Sequence, residues 1–115
     1  MQYLLLIYDA EKQYANMPES DIASFLAEYG TFTKSIIDSG HMLGSNRLHN
    51  VDKATTVRVR EGKAQITDGP FAETREQLGG YYLIEAKNLD EASAIAARIP
   101  SARYGSIEIL PVWSM

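Results

Sequence analysis

Apolar residues along this chain fall into two kinds of run. Leu4, Leu5, Leu6 and Ile7 are continuous, and so are Tyr81, Tyr82, Leu83 and Ile84. Short runs without alternation predict strands over residues 3–8 and 80–86, buried on both faces. In the second kind, Ile22, Phe25, Leu26, Tyr29, Phe32, Thr33, Ile36 and Ile37 recur at three- and four-residue spacing. That spacing predicts a helix over Glu19–Asp38 with a single buried stripe. Pro18 suits the first helical position and Gly40 the left-handed stop. Gly30 interrupts the pattern at a cost of roughly 1 kcal/mol relative to alanine, and close packing against a sheet is the expected reason for it.

Residues 41–48 predict a weakly patterned second strand. Residues 55–60 and 63–67 flank Glu61-Gly62, a two-residue hairpin turn. In that register Val57 faces Ile66 and Val59 faces Ala64, while Arg60 opposes Lys63. A second helix begins at the cap Asn88, with Glu91 three residues on, and carries Leu89, Ala92, Ile95, Ala96 and Ile99 as its stripe. Pro100 ends it, and a last strand follows over residues 106–112. The order is β-α-β, an inserted hairpin, then β-α-β. That is the ferredoxin-like α+β plan, with both helices on one face of an antiparallel sheet and the two apolar strands at its centre. The uncovered face needs a partner, and a second copy of the chain is the expected one.

Composition narrows the function. The 115 residues, 1–115, fit one domain. Fifteen acidic against eleven basic side chains give a net charge of −4, so no nucleic acid or anionic membrane surface is expected as a direct partner. With no cysteine there is no disulfide or thiolate chemistry. The opening MQYLLLIYDAEK lacks a basic segment and is too short in apolar residues for a signal peptide, and no run approaches bilayer length. A cytoplasmic location follows as the expectation.

Candidate chemistry begins at Asp68-Gly69-Pro70-Phe71. Gly69 can take a positive φ and Pro70 fixes the next bend, so this is a rigid turn. It either aims Asp68 into a pocket or is an Asx-type turn whose carboxylate bonds nearby amides. Glu73, Arg75, Glu76 and Gln77 follow, as part of a general-acid cluster or as a solvated loop. Tyr3, Tyr8, Tyr81 and Tyr82 lie on the central strands and either line a polar pocket or fill core and interface. His41 and His49 match no metal-ligand spacing, although His41 could meet Asp38 or the end of the first helix. No metal and no cofactor are expected.

At Asp68–Phe71 the chain resembles the DGPF proteins, a branch of the YCII-related family. MQYLLLIY at the start, residues 54–92 and residues 97–112 extend the resemblance over nearly the whole chain. The resemblance implies a ferredoxin-like fold, a dimeric α+β barrel, and little about chemistry. The motif matches Asp68, Gly69, Pro70, Phe71, Glu73, Gln77, Leu78, Gly79 and Gly80. The shorter branch has a proposed His–Asp pair between helix one and the segment after helix two. This chain departs from it, with no histidine in the first helix and Ile99-Pro100 at the aspartate's place. Proteins of the DGPF branch are often encoded beside sigma factors of the extracytoplasmic-function type, which suggests an accessory role.

Two functions with a ligand site follow as expectations, beside a third, a purely structural partner domain. One is a small-molecule-binding or accessory protein whose ligand meets Asp68, Gly69, Pro70, Phe71, Glu73 and Tyr81. The other is an enzyme acting on a small polar metabolite, with Asp68 as general acid or base.

Overall fold

In the computed structural model, which describes residues 1–114, six strands and two helices follow in the expected order. They are β1 (Gln2–Asp9), α1 (Glu19–Asp38), β2 (Met42–Arg47), β3 (Thr55–Arg60), β4 (Lys63–Asp68), β5 (Gln77–Glu85), α2 (Leu89–Ala96) and β6 (Ser106–Pro111). Four strands form an antiparallel sheet in the order β2-β5-β1-β6, with the two continuous apolar strands at its centre. The α+β ferredoxin-like architecture is therefore the observed one.

Alternation along β1 divides the sheet's faces. Tyr3, Leu5 and Ile7 are buried with Tyr82 and Ile84 of β5 beneath the helices, where Phe32, Ile36, Ala92, Ile95 and Ile99 complete the core. Leu4 and Leu6 point the other way, beside Leu83, Tyr81 and Leu110. No helix covers that face. The molecule is a slab 19 Å thick, which holds one helix layer and one sheet layer and no more.

The hairpin stands apart as its own two-stranded sheet. Val57 pairs with Ile66, Val59 with Ala64 and Arg60 with Lys63, as the turn predicts. Glu61 and Gly62 both take positive φ, the backbone that a two-residue turn demands. Its apolar side is bare, with Ile66 71% exposed. This arm helps to raise the radius of gyration to 16.2 Å. A compact chain of this length should give about 13 Å.

Several boundaries differ from the sequence expectation. Pro18 caps α1 from outside it, and β5 begins at Gln77 rather than Gly80. The second helix stops at Ala96, and Pro100 instead opens a 3-10 turn, Pro100–Arg103. Asn88 caps α2 as the capping box requires, accepting the Glu91 backbone N–H at 2.9 Å. The α1 stripe is buried only at Phe32 and Ile36, since Ile22 and Leu26 are open to a cavity. Gly30 is also a correction. A Cβ there would touch nothing within 4 Å, so sheet packing does not explain it. Gly30→Ala should therefore raise stability by roughly 0.5–1 kcal/mol, read from the urea unfolding midpoint at constant slope. Among the described residues no helix is long and apolar enough to cross a membrane.

Candidate functional site

A cavity of about 540 Å³ opens between the first half of α1 and the sheet end that carries Asp9. Helical spacing builds its apolar wall from Ile22, Phe25, Leu26 and Tyr29. Phe25 sits among the rings of Tyr14, Tyr29 and Tyr104, with centroids 5.6, 5.4 and 5.8 Å away, so the wall is braced by aromatic packing. The sheet supplies the opposite side. Strand alternation places Asp9 on the same face as Ile7, and Ser45 and Arg47 on the same face as Tyr82.

A bulge brings Gln77 to this face. Ile7 pairs with Gly80 but Tyr8 pairs with Leu78, so Gly79 is the extra residue. The shift turns Gln77 toward the cavity beside Asp9. Gln77 then ties the rim together. Its carbonyl accepts the Glu11 N–H at 2.9 Å and its amide donates to the Thr74 carbonyl at 2.6 Å. Glu11 continues the stitch by accepting the Val51 N–H at 2.9 Å.

The polar floor is a group of hydroxyls around one carboxyl. Tyr29, from α1, hydrogen-bonds Ser101, from the 3-10 turn after α2. Helix one and the segment after helix two thus do meet, through a tyrosine and a serine rather than a histidine and an aspartate. Asp9 Oδ1 and the Tyr14 hydroxyl are sealed from solvent, and among the described residues neither makes a well-directed hydrogen bond, although the two lie beside each other and beside Ser101. Burial pushes the Asp9 carboxyl above the ordinary aspartate range, a rise that the nearby Ser101 and Tyr14 hydroxyls temper and Glu76 reinforces. Tyr14 is held well above the usual tyrosine range by burial and by Asp9. Burial likewise raises Tyr29, so both phenols stay protonated near neutrality.

A carboxyl whose pKa is higher folded than unfolded binds its proton more tightly in the native state. Its stabilising effect is present at low pH and is lost as pH rises through the folded pKa. Asp9→Asn removes the buried charge. That variant should melt at a higher temperature than the parent at pH 7 and lose the advantage in acid, by scanning calorimetry at both pH values.

The sequence-derived candidates lie mostly elsewhere. Asp68 ends β4 and is exposed. Gly69 has φ +98°, donates its N–H to the Ala54 carbonyl at 2.7 Å and accepts from the Thr56 hydroxyl at 2.8 Å, so the turn is rigid as expected. Pro70 and Glu73 are exposed, and Phe71 is 78% exposed. None of these five borders the cavity within one chain, whereas Tyr81 does. Gln77, Gly79 and Gly80, from the same motif block, also line it. His41 bonds Ser39 and Glu91 at 2.6 and 3.0 Å, not Asp38, and this partner holds the Glu91 carboxyl below its usual range. Among the described residues no three histidine, aspartate or glutamate side chains gather as a metal site.

Asp9, Tyr14, Tyr29 and Ser101 escaped the sequence reading. Asp9 had one usable signal, a carboxylate at the end of an otherwise apolar central strand on its helix-facing alternate.

Comparison with known proteins gives three findings. An uncharacterised protein of Rhizobium meliloti (strain 1021) is 32% identical over 114 residues, covering 97% of this chain and 92% of its own. A solved structure, 5-chloro-2-hydroxyhydroquinone dehydrochlorinase from Burkholderia phenoliruptrix AC1100 in complex with 2,5-dihydroxybenzoquinone, superposes with a TM-score of 0.56. It matches 99% of this chain and 94% of that one at 11% identity, which speaks for a shared fold. The model of the YCII-related domain matches residues 1–115, and the chain belongs to the YCII-related family.

Proposed function

We propose that this protein binds a small molecule in the cavity between α1 and the Asp9 end of the sheet, and that it does so as a homodimer. One observation carries the binding reading. An acidic side chain, Asp9, stands at the floor of a roomy cavity whose other wall is apolar. A roomy, mostly apolar pocket with a few convergent polar groups is the usual form of a small-molecule site. The homodimer is supported by the bare sheet face and the bare hairpin. Within the family we assign the chain to the DGPF branch on its motif. An accessory role beside a sigma factor rests on that resemblance alone.

Filling the cavity tests the binding reading. A fragment library screened by ligand-detected NMR should give hits with the parent protein. Those hits should weaken at least tenfold with Leu26→Trp or Ala15→Trp, each verified as folded by circular dichroism. Equal binding to parent and filled variants would overturn the reading.

A second reading puts the ligand at the Asp68–Phe71 turn, in an enzyme that uses Asp68 as acid or base. Its support is the rigidity of the turn and the exposure of Phe71, a surface that a second copy could close over. Hits that persist in the filled variants but vanish with Asp68→Asn would favour it.

A further inference from the structure

We infer that the cavity takes a zwitterionic amino carboxylate, its ammonium at Asp9 and its carboxylate at Arg47. This rests on the cavity being the ligand site. The charges that border the cavity point to this class of ligand. Asp9, Glu11 and Arg47 are the ionised side chains in its lining. Glu11 is already committed to the Val51 N–H. Among the described residues Asp9 makes no ion pair, and no carboxylate lies within salt-bridge distance of Arg47. Asp9 and Arg47 therefore stand on the same face of the sheet without an ion pair, and Glu11, beside Gln77, adds a second acidic group at the Asp9 end.

They are also too far apart to satisfy each other. Asp9 pairs with Gln77 and Arg47 with Gly80, both on β5, which lies between their strands. Three residues along β5 amount to roughly 10 Å, and two strand spacings across it to roughly 10 Å more. A single small ion would reach one pole only. A molecule with separated charges reaches both, with its apolar body against Ile22, Phe25 and Leu26.

The surroundings fix which charge goes where. Everything near Asp9 favours a cation or a donor. Glu76 adds negative potential there. At the other pole the Arg47 fork suits a planar carboxylate.

Isothermal titration with three probes that share a phenyl body tests this. 3-(4-Aminomethylphenyl)propanoate, with its two charges at opposite ends of the ring, should bind about tenfold or more tightly than phenethylamine or hydrocinnamate, each of which lacks one charge. Asp9→Asn should erase its advantage over hydrocinnamate, and Arg47→Gln its advantage over phenethylamine. Both variants lie outside the core and should fold. Equal binding of all three probes to the parent would overturn the inference and leave the cavity reading standing. So would binding by none of them, nor by ε-aminocaproate, while fragments still bind and respond to Leu26→Trp. No hits from either experiment would overturn both.

Discussion

Gly105→Ala should be the most damaging small substitution in this protein, costing about 3 kcal/mol or more. A Cβ at position 105 would collide with the Tyr8 carbonyl oxygen and with Asp9 Oδ1. The first of these is backbone, in a central strand paired on both sides, and cannot swing aside. Gly105 is itself pinned, since its N–H donates to the Ser101 carbonyl at 2.7 Å. Relief therefore requires β1 and the turn after α2 to separate, which would also pull Ser101 from Tyr29 and move Asp9. Urea unfolding should show the loss, with Gly30→Ala shifting the midpoint the opposite way. A loss under about 0.5 kcal/mol would mean that the close approach of these backbones is not required.

Leu83→Lys should convert the proposed homodimer into monomers. Leu83 pairs with Leu4 on one side and Gly44 on the other, at the middle of the face that no helix covers. Leu6, Tyr81 and Leu110 surround it. A second sheet packed there at about 10 Å would bury all of these, on the order of 800 Å² per chain. A lysine at the centre of such an interface must desolvate its ammonium without a partner, which costs several kcal/mol per ion and occurs in both copies. In the monomer the same lysine meets water and costs little. Sedimentation equilibrium at micromolar concentration should give a dimer for the parent and a monomer for Leu83→Lys. A parent that is monomeric there would sink the homodimer proposal. Leu5→Lys would unfold the chain instead, because Leu5 lies wholly buried beneath the helices.

Much of the fold was legible because it follows from local rules. Continuous apolar runs marked β1 and β5 as central, the Glu61-Gly62 turn set the hairpin register, and Asn88 with Glu91 fixed the start of α2. The alternation of β1 could not be assigned a direction from sequence, since Leu4 to Ile7 are apolar on both alternates. Only the position of the helices separates Leu5 from Leu4. The site was harder for a related reason. Ile22, Phe25, Leu26 and Tyr29 have the spacing of a core stripe, and spacing does not say whether the opposite wall is in contact or set back. The floor joins residues 9, 14, 29 and 101, from four segments that no motif links. The Gly79 bulge, which turns Gln77 inward, is visible only in the strand register. The Asp68 turn, in contrast, was conspicuous because glycine and proline advertise backbone geometry, which is informative about rigidity and silent about what the turn faces.

Amide mapping of a bound ligand is the most direct test of the central claim that the cavity, with Asp9 at its floor, is the binding site. Backbone resonances of nitrogen-15-labelled protein would be followed through a titration with the tightest fragment or amino carboxylate found above. The largest shifts are expected at Asp9, Tyr14, Phe25, Arg47 and Ser101, with all of them saturating at one common dissociation constant. Shifts confined to Asp68, Gly69, Phe71 and Glu73, with the α1 wall and Asp9 unmoved, would contradict it.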